Sequence, residues 1–155
     1  MNKNIMHIPN WINGCENKPE ANSWLEKFNP HNGQLLCRLA DSSEADTAAA
    51  IEAAEGAFLD WSELTPVKRG QILADIVSVM KTRAGGLADC IALETGKPPQ
   101  DAKGEVGGAI LQGEYFAGEG MRLYGRSLSS GMPGKYSHTV RQPRGVAGLI
   151  GGVVR

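Results

Sequence analysis

The residues of this 155-residue chain that could do chemistry are three cysteines, three histidines and several glycine-rich runs. Cys15, Cys37 and Cys90 are odd in number and widely spaced, which argues against a disulfide framework and against a zinc site. They read as reduced, structural thiols. His7, His31 and His138 are scattered over loops and strands without H-E-x-x-H spacing, so they read as solvated or structural. There is no G-x-S-x-G nucleophile elbow and no G-x-x-x-x-G-K-[ST] phosphate loop. The glycine runs also depart from a dinucleotide fingerprint. Gly104-Glu105-Val106-Gly107-Gly108 falls inside a predicted helix, and Gly118-Glu119-Gly120 lacks a third glycine at the right offset. Gly148-Leu149-Ile150-Gly151-Gly152 follows a predicted strand, but no helix start follows it to hold a pyrophosphate. The acid pairs Asp89/Glu94 and Glu114/Glu119 read as solvated helix faces.

The elements that must position these groups show two changes of period. Residues 9–40 read as short strands joined by turns, with Asn13-Gly14 and Asn29-Pro30-His31-Asn32-Gly33 as the turn signals. That pattern predicts a small antiparallel unit. From Ser43 the period becomes helical. Ser43 and Asp46 form a capping box, and Ala48, Ile51, Ala54, Phe58 and Trp61 make one apolar face. Thr65-Pro66 opens a second helix, with Thr as cap and Pro at the first helical position. Its stripe is Ile72, Ile76 and Met80, with Leu73 and Val77 beside it. Gly85-Gly86 is expected to break that run. A short helix then carries Leu87, Cys90, Ile91 and Glu94 to a C-cap at Gly96. A longer helix is expected over about residues 100–123, with Gly104, Gly107 and Gly108 explained by close packing on another helix. The period returns to two at Tyr136–Arg141, and Val146–Ile150 reads as a buried parallel strand.

Composition bounds the class. Hydrophobic residues are 41% and charged residues 21%, ordinary for a globular chain. A net charge of -1 gives no reason to expect a nucleic-acid or anionic-membrane partner. No apolar run reaches the roughly 20 residues of a spanning helix, and the first nine residues lack a signal-peptide core. The cytoplasm is the expected compartment. Composition and motif together reach an α/β domain, with helices between two strand-rich ends.

The ordered set of local signals resembles the N-terminal third of the aldehyde dehydrogenase superfamily. Trp11-Ile12-Asn13-Gly14 is similar to its "INGK" strand, and Phe28-Asn29-Pro30-His31-Asn32-Gly33-Gln34-Leu35 to its "NPxTGExI" turn. Residues 48–61 resemble its "AV.AA..AF..W" helix, and Arg69-Gly70-Gln71-Ile72-Leu73 its "R..IL". Leu87-Ala88 with Ala92-Leu93-Glu94-Thr95-Gly96-Lys97-Pro98 resembles "LA…E.GKP", and residues 141–150 resemble "R.P.GVvg.I". Six matches in order over about residues 10–150 make the resemblance specific.

The resemblance implies the N-terminal part of the aldehyde dehydrogenase fold: short antiparallel strands, several helices, one bridging strand and the first strand of the dinucleotide-binding sheet. It places an oligomerisation-type strand at 136–142 and leaves the catalytic domain outside residues 1–155. The family oxidises an aldehyde to an acid with NAD or NADP, through a Cys nucleophile, a Glu-activated water and an Asn at the oxyanion. None of those three is carried over. The cysteines here lie outside the family's nucleophile context, and the chain reads Gly151-Gly152-Val153-Val154-Arg155 where relatives run into "PWN". Ile150 matches a position lining the cofactor cleft, with plain strand core as the preferred alternative. Glu94 matches a position near a monovalent cation in some relatives, and a solvated helix-end acid accounts for it equally well.

These implications lead to a fragment of an NAD(P)-dependent aldehyde dehydrogenase, inactive alone and binding no cofactor by itself. The departure after Ile150 reads as truncation. The alternative is a non-catalytic module that pairs with a full-length relative, or with a second copy, through its bridging strand. With a single strand of the dinucleotide-binding sheet and uncovered helix faces, a marginal, aggregation-prone product is expected.

Overall fold

The computed structural model describes residues 5–151. Five short strands come first: β1 Met6–Ile8, β2 Asn10–Ile12, β3 Cys15–Asn17, β4 Trp24–Phe28 and β5 Leu35–Ala40. Asn13 and Gly14 both have positive φ, 53° and 74°, which closes the β2–β3 hairpin in the mirror-image turn such hairpins prefer. Asn29 turns the chain from β4 into β5. Its N–H donates to the Gln34 carbonyl at 2.9 Å, and its Oδ1 accepts from the His31 N–H at 2.8 Å.

The expected antiparallel unit is in fact mixed. β4 pairs antiparallel with β5, but β1 runs parallel to β5 on its other side, in the order β1-β5-β4. A parallel neighbour needs a crossover rather than a tight turn, and the β2–β3 hairpin, the loop after it and β4 together make that connection.

Helix α1 spans Glu44–Glu63 and starts as its sequence predicts. The Ser43 Oγ accepts from the Asp46 N–H, and the Ser43 N–H donates to Asp46 Oδ2 at 2.8 Å. The buried Asp46 carboxylate also accepts the Glu20 N–H at 3.0 Å, which ties the strand region to the helix start. The apolar stripe of α1 is not core, however. Asp46 is its one buried residue, and Ile51 and Trp61 are exposed.

Helix α2, Pro66–Thr82, is capped by Thr65 Oγ1 accepting from the Lys68 N–H at 3.2 Å. The break that follows falls at Arg83 rather than at Gly85-Gly86. The Arg83 N–H closes on the Val79 and Met80 carbonyls while its own carbonyl accepts the Leu87 N–H, so α3, Ala84–Thr95, begins at once with both glycines in its first turn. Gly96, at φ 74°, caps α3 with its N–H on the Ala92 carbonyl. Helix α4 covers Pro99–Ala117, and the chain then tightens into a 3-10 turn at Gly118–Met121 instead of continuing as α-helix to 123.

The core lies where α4 packs on α2 and α3. Its buried apolar residues are Val77, Ala88, Ala102 and Val106. Val77, beside the expected α2 stripe, is buried, whereas Ile76 of that stripe is exposed. The close approaches also sit elsewhere than expected. A methyl at Gly104, Gly107 or Gly108 would meet open space. At Gly113 it would lie 2.5 Å from Val77 Cγ2, at Gly70 it would strike the Ala117 carbonyl, and at Gly120 the Pro66 carbonyl. The 3-10 turn therefore seats its backbone directly on the start of α2.

The last ladder is a hairpin of β6, Ser127–Ser129, and β7, Tyr136–His138, in register Ser127↔His138. The expected strand at residues 136–141 is thus shorter, and its partner is β6. The run Val146–Ile150 forms no strand, and Leu149 and Ile150 are fully exposed. A strand exists only against a neighbour that takes its N–H and C=O groups, and none lies beside it among the described residues. Residues 152–155, where a turn and helix start would fall, are outside the described residues. No described helix is long and apolar enough to cross a membrane.

Candidate functional site

The titratable groups that the fold brings together are two thiols and a carboxylate. Cys90 and Glu94 stand one turn apart on α3, and the Cys90 thiol donates to Glu94 Oε1 at 3.3 Å. This bond, then partial burial and the Glu94 charge, push the Cys90 thiol above its ordinary range. Cys37 on β5 is half-buried and is also pushed up, first by burial and then by the Glu94 charge, with Lys27 opposing. Both thiols are therefore kept protonated, which is the reverse of what activates a nucleophile. Cys15, beside the β2–β3 turn, is exposed.

Two sequence motifs that lie far apart meet here. The Asn29–Gly33 turn docks on the C-terminal end of α3: a methyl at Gly96 would stand 2.6 Å from Pro30 Cγ and 3.5 Å from His31 Nε2. An open cleft of about 480 Å³ lies between them, lined by Asn29, His31, Asp89, Ala92, Leu93 and Lys97. Lys97, one of its lining residues, is paired with Glu105. Of the residues that sequence reasoning weighed, His31 and Asp89 line this cleft, while Cys37, Cys90 and Glu94 influence one another outside its lining. His7 stacks edge-on against Trp24 at 4.7 Å, and His138 ends β7. The Cys90–Glu94 spacing of four on a helix signals their contact, but no sequence signal brings Cys37 to them.

Glu94 and Ile150 are the two positions that the resemblance links to a ligand. Among the described residues no group of three His, Cys, Asp or Glu side chains converges to hold a metal ion, and one oxygen of Glu94 is engaged by the Cys90 thiol. Ile150, matched to the cofactor cleft, is fully exposed, and the glycines beside it carry no strand–turn–helix cradle among the described residues. The residues described do not fit a dinucleotide as they stand.

The comparisons decide the family. The model of the aldehyde dehydrogenase family matches residues 17–152. The chain belongs to the aldehyde dehydrogenase family. The succinate-semialdehyde dehydrogenase [NADP(+)] GabD of Escherichia coli is 37% identical over 126 residues, 81% of this chain but 26% of that protein. The malonate-semialdehyde dehydrogenase of Listeria innocua is 32% identical over 146 residues, 94% of this chain and 30% of that one. Among solved structures, an E. coli NADP-dependent enzyme superposes with a TM-score of 0.79 at 33% identity, and E. coli lactaldehyde dehydrogenase with 0.81 at 28%. They cover 84% and 85% of this chain against 27% and 28% of their own. The chain thus spans about a quarter to three-tenths of the length of these family members, and its α/β fold is the corresponding part of theirs.

Proposed function

We propose that this chain is the N-terminal unit of an NAD(P)-dependent aldehyde dehydrogenase, and that it does not oxidise aldehydes by itself. The observation that carries the reading is the family match over residues 17–152 in a chain that spans only 26% of an NADP-dependent relative. Two of the three thiols add to it. Oxidation of an aldehyde by this route requires a thiolate to attack the carbonyl carbon, and Cys37 and Cys90 are both held towards the thiol. The unit's part in the reaction is structural. It supplies a helical layer and residues 136–142, which include β7 and are proposed as the oligomerisation strand. It also supplies the run ending at Ile150, proposed to enter the dinucleotide-binding sheet. Glu94 as a cation ligand and a cytoplasmic location remain part of the same proposal.

The test is an assay of the purified chain with a panel of aldehydes, semialdehydes included, and both nicotinamide cofactors, followed by absorbance of the reduced cofactor. The expected outcome is no aldehyde-dependent reduction above buffer. Turnover that persists in the pure chain and disappears when its cysteines are alkylated would overturn the reading.

A further inference from the structure

The chain holds two Asn-Gly pairs, Asn13-Gly14 and Asn32-Gly33, and both stand exposed in turns between strands. In such a pair the backbone nitrogen of the glycine can approach the asparagine side chain without a Cβ in the way. A methyl at either glycine would meet open space, so bulk does not separate the two turns. Their hydrogen bonds do.

At Asn32-Gly33 both reacting groups are engaged. The Gly33 N–H donates to the Asn29 carbonyl at 2.8 Å, and Asn32 Oδ1 accepts the Gln34 N–H at 3.0 Å. This turn is also fixed from outside, since Asn29 is buried and Pro30 packs against Gly96 at the end of α3. At Asn13-Gly14 neither the Gly14 N–H nor the Asn13 side-chain amide has a hydrogen-bond partner among the described residues. The ladder behind this turn has two strands of 3 residues each, and a lone hairpin of that kind is marginal. The turn therefore opens at low cost, which brings the Gly14 nitrogen within reach of the Asn13 side-chain carbon.

We propose that Asn13-Gly14 is a site of spontaneous deamidation, while the pair at 32–33 is kept intact by its turn. The Gly14 nitrogen gives its proton to solvent base and bonds to Asn13 Cγ. The side-chain nitrogen takes a proton from water and leaves as ammonia, which closes a cyclic succinimide. Water then opens either carbonyl of the ring to give aspartate or isoaspartate, with no change of oxidation state. Isoaspartate routes the backbone through an extra carbon, which the two-residue turn and its Ile12↔Cys15 register do not accommodate. The modified turn releases β2, whose Asn10 Oδ1 accepts from Ser42 Oγ at 2.8 Å just ahead of α1.

In the test, the full chain is held at mildly alkaline pH with and without urea and sampled over time. Trypsin leaves the two pairs in separate peptides, residues 4–27 and 28–38, and fragmentation by mass spectrometry locates the amide-to-acid conversion in each. Isoaspartate is counted by methyl transfer from S-adenosylmethionine with an isoaspartyl methyltransferase. In buffer Asn13 is expected to convert about tenfold faster than Asn32, the worth of about one net hydrogen bond. In urea the two rates should converge, and Asn13→Gln should remove most of the isoaspartate formed in buffer. Equal rates in buffer, a rate ratio that urea leaves unchanged, an Asn13 that keeps its amide, or isoaspartate that persists in Asn13→Gln would each overturn the proposal.

Discussion

Cys90 and Glu94 show how a single contact sets the behaviour of a thiol. The carboxylate accepts the S–H, so ionising Cys90 costs a hydrogen bond and places two negative charges side by side. Glu94→Gln removes the charge, and the Cys90 thiol is then expected to ionise at lower pH. The check is the pH profile of iodoacetamide labelling at Cys90, read by peptide mass spectrometry. Its midpoint should move towards neutrality, with a smaller move in the same direction at Cys37. Asp46 is the opposite case. Hydrogen bonds from the Ser43 and Glu20 N–H groups favour the carboxylate and hold its pKa below the ordinary value. A depressed folded-state pKa contributes stability that is present above the unfolded value and is lost as pH falls through the folded one. Acid should therefore release the α1 start from the strand region below the usual carboxylate range. In Asp46→Asn that acid step should be reduced, as read by the change in far-ultraviolet circular dichroism with pH.

At the scale of elements, the helix layer is held by backbone contacts at glycines as much as by side chains. Gly113 on α4 faces Val77, a stiff β-branched side chain in the small core, so Gly113→Ala is expected to destabilise by about 1–3 kcal/mol through overpacking. Gly104 on the same helix faces open space, so Gly104→Ala is expected to stabilise by about 1 kcal/mol through helix propensity. Urea midpoints of the two variants should move in opposite directions. A shared direction would contradict the packing described. This pair also shows where sequence legibility stopped. The capping box at Ser43, the Thr65-Pro66 start and the Gly96 cap are local devices, and each formed as its residues required. Which glycine touches a neighbour depends on how α4 rotates against α2, and that angle is not written in either helix alone.

For the whole molecule, the decisive quantity is how little the chain buries. Among the described residues the buried apolar ones are two alanines and two valines, Val77 and Val106 being the larger pair, while Trp61, Phe116 and Leu149 face outward. Burial of a large apolar side chain contributes about 1.5–3 kcal/mol, and few such terms are present here to oppose chain entropy. The isolated chain is expected to unfold over a broad range in calorimetry and to bind a hydrophobic dye before heating. A sharp, reversible transition in a monodisperse sample would contradict this. By itself the sequence determined the family, the element starts and the turns, because caps, Asn-Gly pairs and ordered motifs act within a few residues. Tertiary structure alone decided that β1 lies parallel to β5, that Cys37 comes under the influence of Glu94, and that Val146–Ile150 is not a strand. Each of those outcomes depends on which distant segment lies alongside, and a strand or a buried thiol is defined by its neighbour rather than by its own residues.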